Sequence, residues 1–294
     1  MRYFDAHTHL QFAAYDEDRE EVFERSVAAG VGMNIVGTQV DTSRAAVAFA
    51  NGHDGAWATV GLHPIHTSKS FHDAQELGLS FAEATAGKAD RGFTSRGEVF
   101  DFAVYETMAR ESKVVAIGEC GLDYFRLDDD TKKVQTEAFV AQIELANKVN
   151  KPLMLHIRTG AKGGDTSSVG DAYLDVLDVL KAHTRVQGDV HFFAGSWETA
   201  KQFLDLGFTL SFTGVITFAK DYEEVVRNTP LDMLLSETDA PYVTPSPHRG
   251  KRNESTHIPD IVRKIAEIKG LAEEDVAAQL LINAQKTFGI SVGA

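Results

Sequence analysis

The amino-acid sequence predicts a closed (β/α)₈ barrel that forms a single α/β domain, and two observations support this fold class. Eight short runs rich in β-branched and apolar residues recur along the chain, and segments with helical periodicity lie between them. This alternation is expected of βα units around a parallel sheet. In addition, neither an internal repeat of about 20–50 residues nor a proline-rich linker divides the 294 residues.

The predicted strands lie near residues 3–6, 32–37, 56–60, 114–117, 152–156, 188–192, 208–212 and 233–236. The predicted helices include 16–29, 43–51, 131–149, 173–183 and 196–206. In the third of these, Val134, Ala138 and Leu145 fall on one apolar stripe, and Pro152 follows its end. A doubly wound open sheet is the alternative, but no glycine-rich phosphate loop follows the first strand, where that fold usually needs one.

Two segments look like insertions into the barrel. The third and fourth predicted strands begin 58 residues apart, at 56 and 114, which predicts an insertion near residues 68–96. A shorter run of small and polar residues at 160–168 follows the fifth strand and is typical of a loop. The sequence therefore predicts one domain over residues 1–294, with two insertions where loops at the catalytic face of a barrel would lie.

Composition limits the classes of partner. The chain has 29 Lys and Arg against 43 Asp and Glu, a net charge of −14, so binding of nucleic acid needs a local basic patch or metal ions. The single cysteine, Cys120, cannot form an intramolecular disulfide, which fits a reducing compartment. The first residues lack the apolar run of a signal peptide, and no uncharged apolar stretch of about 18 residues occurs. We expect a cytoplasmic protein without membrane association and infer no obligate protein partner.

The first predicted strand ends in a pair of histidines. Asp5, His7 and His9 alternate along it, so their side chains are expected on one face and the two imidazoles converge. Taken alone, such a pair is more often a set of ordinary polar residues at a strand end.

Other predicted strands end in the same way. Glu119, His156, His191 and Asp239 follow the fourth, fifth, sixth and eighth apolar runs. Each has another explanation, as a helix cap or a buried histidine, but the carboxyl ends of barrel strands open on one face, so all six side chains would meet there. Four imidazoles and two carboxylates suit Zn²⁺, Mn²⁺, Co²⁺ or Fe²⁺, and Mg²⁺ with added waters. Because six ligands exceed the usual set of one catalytic zinc, they predict a pair of ions that share a carboxylate.

An ordered set of motifs extends over nearly the whole chain. They are FDAHTH at 4–9, VGLHP at 60–64, IGECGLDY at 117–124, LHIR at 155–158, HFFAG at 191–195, ETDAPY at 237–242 and RGKRNE at 249–254. In these motifs the sequence resembles the TatD-type family of metal-dependent deoxyribonucleases, within the amidohydrolase superfamily. It departs from the usual pattern at Phe192, where cysteine is more familiar, and at Ser255, where proline is. Neither departure removes a metal ligand.

The resemblance implies a (β/α)₈ barrel with one or two divalent ions, Mg²⁺, Mn²⁺ or Zn²⁺. His7, His9 and Asp239 match the ligands of the first ion, His156 and His191 those of the second, and Glu119 the bridge between them. It also implies hydrolysis of phosphodiester bonds, most simply as a 3′–5′ exonuclease on single-stranded DNA or frayed ends. Two ions about 3.5–4 Å apart activate water and stabilise the leaving group. We expect Asp239 to accept the proton of the water as well as to bind metal, and Glu119 to act with it in catalysis.

Three further residues are candidates for substrate binding. His63 either contacts a substrate phosphate or packs within its loop, and Arg158 either binds phosphate through its guanidinium or pairs with an acid. Lys251 lies in the dense basic run 248–252, whose arginines either approach DNA or pair internally with Glu254 or Asp123. We expect Lys251 to be more exposed and Arg249 more structural.

Two other functions stay open at this point. The same metals would also serve a hydrolase of amide, lactone or aminoacyl-tRNA ester bonds, and the acidic net charge mildly favours such a small substrate. The third possible function is not enzymatic: the protein would be a barrel whose metals only stabilise a surface that binds a partner. It is less favoured, because structural metal sites are normally closed rather than built at an open mouth.

Overall fold

A computed structural model describes residues 1–68, 71–73, 92–94, 97–125, 131–160 and 171–291. The strands described are β1 (Tyr3–Thr8), β2 (Val31–Val36), β3 (Ala56–Val60), β4 (Phe71–Asp73), β5 (Gly92–Thr94), β6 (Val114–Asp123), β7 (Leu153–Arg158), β8 (Gly188–Val190), β9 (Thr209–Phe212) and β10 (Leu234–Ser236). Eight of them form one sheet of parallel neighbours in the order β1-β2-β3-β6-β7-β8-β9-β10. Each of the eight predicted strands is present.

Contacts between the first and last strands of this sheet bring it close to a closed ring. Thr8 forms a parallel bridge with Ala240, and the His9 N–H donates to the Ala240 carbonyl oxygen over 2.8 Å. The Asp239 N–H likewise donates to the His7 carbonyl oxygen over 2.9 Å. The predicted fold class, a (β/α)₈ barrel in a single domain, is therefore confirmed.

Helices alternate with the strands as predicted. Those described are α1 (Arg19–Ala28), α2 (Val40–Gly52), α3 (Phe102–Ala109), α4 (Thr131–Val149), α5 (Ala172–His183), α6 (Trp197–Asp205), α7 (Glu223–Asn228), α8 (Ile258–Lys269) and α9 (Glu273–Phe288). The bounds of α4 agree with the prediction. Helix α1 begins three residues later than predicted, after a separate 3₁₀ turn at Ala13–Tyr15.

The two ends of the chain pack together. Phe288 of α9 lies against Phe4 of β1, with ring centroids 6.0 Å apart, and Phe4 also contacts Trp57 of β3 at 5.5 Å. All three rings belong to a cluster of apolar side chains that includes Met154 and Leu235. Because this cluster joins the last helix to the first strand, the first and last segments stabilise one domain.

The predicted insertions are described only in part. Within 68–96, β4 and β5 form an antiparallel pair, while 69–70, 74–91 and 95–96 lie outside the described residues, as does 161–168 of the second insertion. The extent of both insertions therefore stays a prediction. Among the helices in the described ranges, none has the length and apolar character that crossing a membrane requires.

Candidate metal centre

The six side chains predicted to bind metal lie close together near the carboxyl ends of the barrel strands. His7 lies in β1 with His9 just beyond it, while His191 and Asp239 lie one and three residues past the ends of β8 and β10. His156 lies in β7, two residues before the strand ends. Glu119 was predicted at the end of its strand, but β6 continues to Asp123 and its register against β7 shifts between Ile117 and Cys120. The carboxylate nevertheless reaches the same group of side chains.

One oxygen of Glu119 faces the two histidines of the first strand. Glu119 Oε2 lies 3.4 Å from His7 Nε2 and 3.8 Å from His9 Nε2, and the two imidazole nitrogens are 3.1 Å apart. Asp239 Oδ1 completes the group, at 3.8 Å from His7 Nε2 and 3.5 Å from His9 Nε2. Each carboxylate oxygen thus lies within 3.8 Å of both imidazole nitrogens. Ligand atoms within 4.8 Å of one another form two overlapping groups: His7, His9 and Glu119, and His7, His191 and Asp239.

The other oxygen of Glu119 faces three different imidazoles. Glu119 Oε1 lies 2.8 Å from His156 Nδ1, 3.3 Å from His63 Nε2 and 3.5 Å from His191 Nε2. The rings of His191 and His7 stack with their centroids 3.7 Å apart, so the two groups are adjacent. The carboxylate of Glu119 therefore lies between two sets of nitrogen ligands.

These distances fit divalent cations. Ligand bonds of about 2.0–2.2 Å place two ligand atoms about 2.8–3.6 Å apart, close to the separations of 3.1–3.8 Å around Glu119 Oε2. The His9 Nδ1–H donates to the Val36 carbonyl oxygen over 2.7 Å, which turns Nε2 toward the group. Side-chain nitrogen and oxygen atoms of this kind are the ligands that Zn²⁺ and Mn²⁺ accept in proteins.

The charges in the site favour ionised carboxylates. Burial would raise the pKa of Glu119, but the imidazoles of His63, His7, His191 and His156 outweigh it and hold the pKa well below the ordinary value. Burial would likewise raise the pKa of Asp239. The hydrogen bond from His9 and the charges of the nearby imidazoles outweigh burial and lower this pKa. Both side chains are therefore negatively charged and suited to hold cations.

Carboxylates keep two of the histidines protonated in return. Burial would lower the pKa of His156, but its hydrogen bonds to Asp123 and Glu119 raise it to about 9. For His191, Glu237 and Glu119 overcome burial and raise the pKa to about 10. Because a metal ligand must be neutral, an arriving cation would take the place of these protons.

His63 differs from the other imidazoles in its hydrogen bonds. The Ile65 N–H donates to His63 Nδ1 over 3.1 Å. Burial and the neighbouring His156 lower the pKa of His63 to about 4, so its ring is neutral and carries its one hydrogen on Nε2. That hydrogen points at Glu119 Oε1, 3.3 Å away. His63 is therefore placed as a hydrogen-bond donor beside the metal ligands.

Three buried carboxylates that the sequence analysis did not include among site residues support the ligands. Asp123 Oδ2 lies 3.0 Å from His156 Nε2, and Glu237 Oε2 lies 3.1 Å from His191 Nδ1. Asp5 accepts hydrogen bonds from the Thr238 N–H at 2.9 Å and the Thr238 hydroxyl at 2.6 Å, next to Asp239 in the chain. Asp123 and Glu237 fall inside two of the quoted motifs, which is the only signal the sequence offered for them.

The other two substrate-binding candidates lie on exposed parts of the chain. Arg158 is exposed at the end of β7, with its guanidinium 3.7 Å from the centroid of the Phe125 ring. Lys251 is exposed in the loop after β10, as predicted.

The arginines of the basic run around Lys251 are anchored within the protein. Arg249 stacks on Phe218 at 4.1 Å and donates to the Thr244 carbonyl oxygen, in line with a structural role. Arg252 pairs with Asp18 at 2.6 Å, so the internal pairing that the sequence left open involves an acid other than Glu254 or Asp123. Glu254 lies next to Arg252 in the chain, but it pairs with Arg25 of α1 instead.

Comparison with known proteins decides the family. The family model of TatD-related DNases matches residues 4–289, almost the whole chain. The chain belongs to the TatD family of metal-dependent hydrolases. The resemblance inferred from the motifs is therefore confirmed.

Two relatives of the TatD family match over nearly their full lengths. The chain is 36% identical to the uncharacterized metal-dependent hydrolase YabD of Bacillus subtilis, over 98% of this chain and 99% of the relative. It is 33% identical to the 3′-5′ ssDNA/RNA exonuclease TatD of Klebsiella pneumoniae, over 98% of both chains. Among solved structures, the TatD homologue YjjV of Escherichia coli has the same fold, with a TM-score of 0.76, 24% identity and 99% of both chains covered.

Proposed function

We propose that this TatD family hydrolase is a divalent-metal-dependent nuclease that removes nucleotides from the 3′ end of single-stranded DNA. The observation that carries the proposal is the position of Glu119, whose two carboxylate oxygens face two separate groups of imidazoles. Such an arrangement suits two cations that share one carboxylate. The names of the relatives in Klebsiella pneumoniae and Pantoea ananatis, both 3′-5′ ssDNA/RNA exonucleases, support the choice of substrate.

The proposed ligands divide into two sets. His7, His9 and Asp239 would hold one ion and His156 and His191 the other, with Glu119 shared between them. Ions bound there would activate water and neutralise the charge that develops on the phosphate oxygens. Mg²⁺, Mn²⁺ and Zn²⁺ are all compatible with this mixture of nitrogen and oxygen atoms.

Access to the centre favours a catalytic role over a structural one. The side chains of Asp239 and His156 are 13% and 16% exposed, while those of His7 and Glu119 are 0% and 4% exposed. The centre therefore opens to solvent on the side of Asp239 and His156. Structural metal sites are normally closed by protein ligands, whereas a catalytic site keeps a position open for water and substrate.

Asp239 is the proposed proton acceptor. Its carboxylate is ionised, because the hydrogen bond from His9 and the charges of His191 and His7 lower its pKa against the effect of burial. It also lies on the more open side of the centre, where a water molecule can approach. Asp239 would therefore take a proton from the water as its oxygen bonds to phosphorus, while the bond from phosphorus to the 3′ oxygen of the preceding nucleotide breaks and that oxygen leaves as a hydroxyl after taking up a proton. Glu119 would hold the two ions at a fixed separation.

Substrate contacts are proposed for three residues. His63 would donate a hydrogen bond from Nε2 to a phosphate oxygen that approaches Glu119. Arg158 and Lys251 are exposed cations that would bind the phosphate backbone of the strand on either side of the scissile bond. Because the chain has a net charge of −14, these local cations and the bound ions must offset a general repulsion of DNA.

We propose that the enzyme acts in the cytoplasm, where its single cysteine stays reduced.

The experiment that tests this function follows the length of a 5′-labelled single-stranded DNA. The protein is stripped with a chelator and incubated with the labelled strand, with and without Mg²⁺ or Mn²⁺. We expect a ladder of strands shortened from the 3′ end only when metal is restored, and none with His156→Ala. His53→Ala serves as the matched control, because His53 pairs with Glu20 and stacks on Phe49 away from the proposed ligands, so the ladder should be unchanged. The same strand with a non-hydrolysable 3′-terminal linkage should resist shortening.

The choice of Asp239 as proton acceptor is tested in the same assay. Asp239→Asn should abolish shortening even at metal concentrations that saturate the variant. Near-normal turnover by this variant would defeat the assignment. If the wild-type protein binds metal but shortens neither DNA nor RNA, hydrolysis of aminoacyl esters, lactones and amides becomes the function to measure. If none of these bonds is cleaved, the barrel is a binding protein.

A further inference from the structure

We propose that Glu237 is the positioning residue that fixes the orientation and tautomer of His191, so that His191 presents Nε2 to the second ion. The inference rests on the metal centre of the proposed function and assigns a role to a side chain outside its ligand set. Glu237 is fully buried, with 0% exposure, and lies two residues before Asp239.

Three hydrogen bonds hold the Glu237 carboxylate. His191 Nδ1–H donates to Oε2 over 3.1 Å, and the Ser211 hydroxyl donates to the same oxygen over 2.9 Å. The Phe192 N–H donates to the other oxygen, Oε1, over 2.6 Å. Both oxygens therefore act as acceptors, and the carboxylate binds the side chain of one residue and the backbone of the next.

The backbone after β8 is shaped to make this pair of contacts. Phe192 has a φ of 45°, in the left-handed region that residues other than glycine rarely adopt. Its N–H nevertheless makes the 2.6 Å hydrogen bond to Glu237. The strain of that conformation must be offset by the surrounding contacts. The bond to a buried carboxylate is one such contact, because hydrogen bonds to charged groups are the stronger ones.

Glu237 also connects the two halves of the centre. It binds His191 of the proposed second ion, and the chain that follows it places Asp239 of the first. The Asp239 N–H in turn donates to the His7 carbonyl oxygen over 2.9 Å. A segment of three residues, 237–239, thus sets the positions of ligands on both sides of Glu119.

The chemical consequence concerns the second nitrogen of His191. A neutral imidazole has one hydrogen, and an acceptor at Nδ1 places it there, which leaves the Nε2 lone pair free for a metal. His191 Nε2 faces Glu119 Oε1 at 3.5 Å, on the side of the proposed second ion. Outer carboxylates of this kind typically change metal affinity or activity by about 10–100-fold when they are mutated.

The test uses Glu237→Gln, which keeps the size of the side chain. The glutamine oxygen can still accept from the Phe192 N–H, so its amide nitrogen faces His191 Nδ1 as a donor and shifts the imidazole hydrogen to Nε2. Zinc binding is measured by calorimetry on the full chain. We expect the ion on the His156–His191 side to bind at least about tenfold more weakly and the ion on the His7–His9 side to keep its affinity.

Two control variants separate this effect from a general disturbance of the barrel. Glu98→Gln makes the same change at a carboxylate that accepts from the Tyr105 hydroxyl at 2.7 Å and the Val40 N–H at 3.1 Å and touches no proposed ligand. Asp175→Asn removes a carboxylate that bonds to Tyr124 and Lys132 and touches no proposed ligand. Both should bind zinc with wild-type affinity on the His156–His191 side. Loss of affinity in these variants equal to that of Glu237→Gln would overturn the proposal.

A second measurement needs no variant. In the zinc-loaded wild-type protein, nitrogen NMR of the imidazole side chains should show His191 with hydrogen on Nδ1 and zinc on Nε2. The opposite tautomer would overturn the proposal even if Glu237→Gln fails to fold. Because neither measurement involves a nucleic acid, an inactive nuclease with normal zinc binding would count against the proposed substrate alone.

Discussion

The Ser255 hydroxyl donates a hydrogen bond to Asp5 Oδ2 over 2.7 Å, joining residues that are 250 positions apart in the sequence. The same carboxylate accepts from the backbone and the side chain of Thr238. Asp5 therefore connects the first strand of the barrel both to the segment that ends in Asp239 and to the loop before α8. Closure of the barrel and placement of a metal ligand depend on one buried carboxylate.

Asp5→Ala should therefore destabilise the protein strongly. The substitution leaves four buried donors, two on Thr238, one on Ser255 and the His7 N–H, without their acceptor. Each unsatisfied donor costs about 1–3 kcal/mol, so we expect the free energy of unfolding to fall by at least about 3 kcal/mol. Urea unfolding measures this directly. Ser255→Ala removes one donor and leaves Asp5 paired with Thr238, so it should cost about 1 kcal/mol. Equal losses in the two variants would contradict the central role of Asp5.

Asp123 should act through His156. Asp123→Asn weakens the 3.0 Å contact with His156 Nε2 and frees the ring to turn away from Glu119. We expect metal affinity and activity to fall by about 10–100-fold, as for other carboxylates that orient a ligand histidine, with little change in circular dichroism. The matched control is Asp175→Asn, because Asp175 bonds to Tyr124 and Lys132 and touches no proposed ligand. If Asp175→Asn loses as much metal affinity as Asp123→Asn, the loss comes from removing a negative charge anywhere in the protein and not from the contact with His156.

The fold could be predicted from the sequence because each barrel strand is an apolar run of its own. The run at 56–60, for example, matches β3 residue for residue. The proposed ligands could be located for the same reason: His156 and Asp239 stand at or just beyond the end of such runs, and a parallel barrel brings those ends together.

The supporting carboxylates could not be predicted because their partners are distant in the chain. Asp123 and His156 are 33 residues apart, and Glu237 and His191 are 46 apart, so no local pattern shows which carboxylate faces which ring. Asp5 was expected on the face of His7 and His9, but the register of β1 against β2 shifts between Asp5 and Thr8. Simple alternation along the strand therefore fails there, and the Asp5 carboxylate bonds to Thr238 and Ser255.

His63 should affect turnover more than metal binding. Its Nδ1 accepts from the Ile65 N–H, so in the neutral ring Nε2 carries the hydrogen, and we expect His63 to act as a donor although it lies within 4.8 Å of ligand atoms of Glu119 and His156. We expect His63→Ala to bind zinc within about threefold of the wild-type affinity and to lose about 10–100-fold in kcat/KM, since a hydrogen bond to a charged group contributes about 1.5–3 kcal/mol. His63→Gln, which keeps an amide donor, should recover part of the loss. Calorimetry and the DNA assay give the two quantities, and loss of one zinc ion in His63→Ala would show that His63 is a ligand instead.

Metal should also stabilise the fold, because the proposed ligands come from five different strands of the barrel. An ion present at about 1,000 times its dissociation constant adds about 4 kcal/mol to the free energy of unfolding, which corresponds to a rise of several degrees in the melting temperature. Differential scanning calorimetry of chelator-treated protein, with Mg²⁺, Mn²⁺ or Zn²⁺ added back, would also rank the three ions by affinity. His7→Ala should lose much of the rise, whereas His53→Ala should keep all of it, since His53 lies outside the site. Identical melting temperatures with and without every ion would mean that these imidazoles and carboxylates hold no metal in the folded protein.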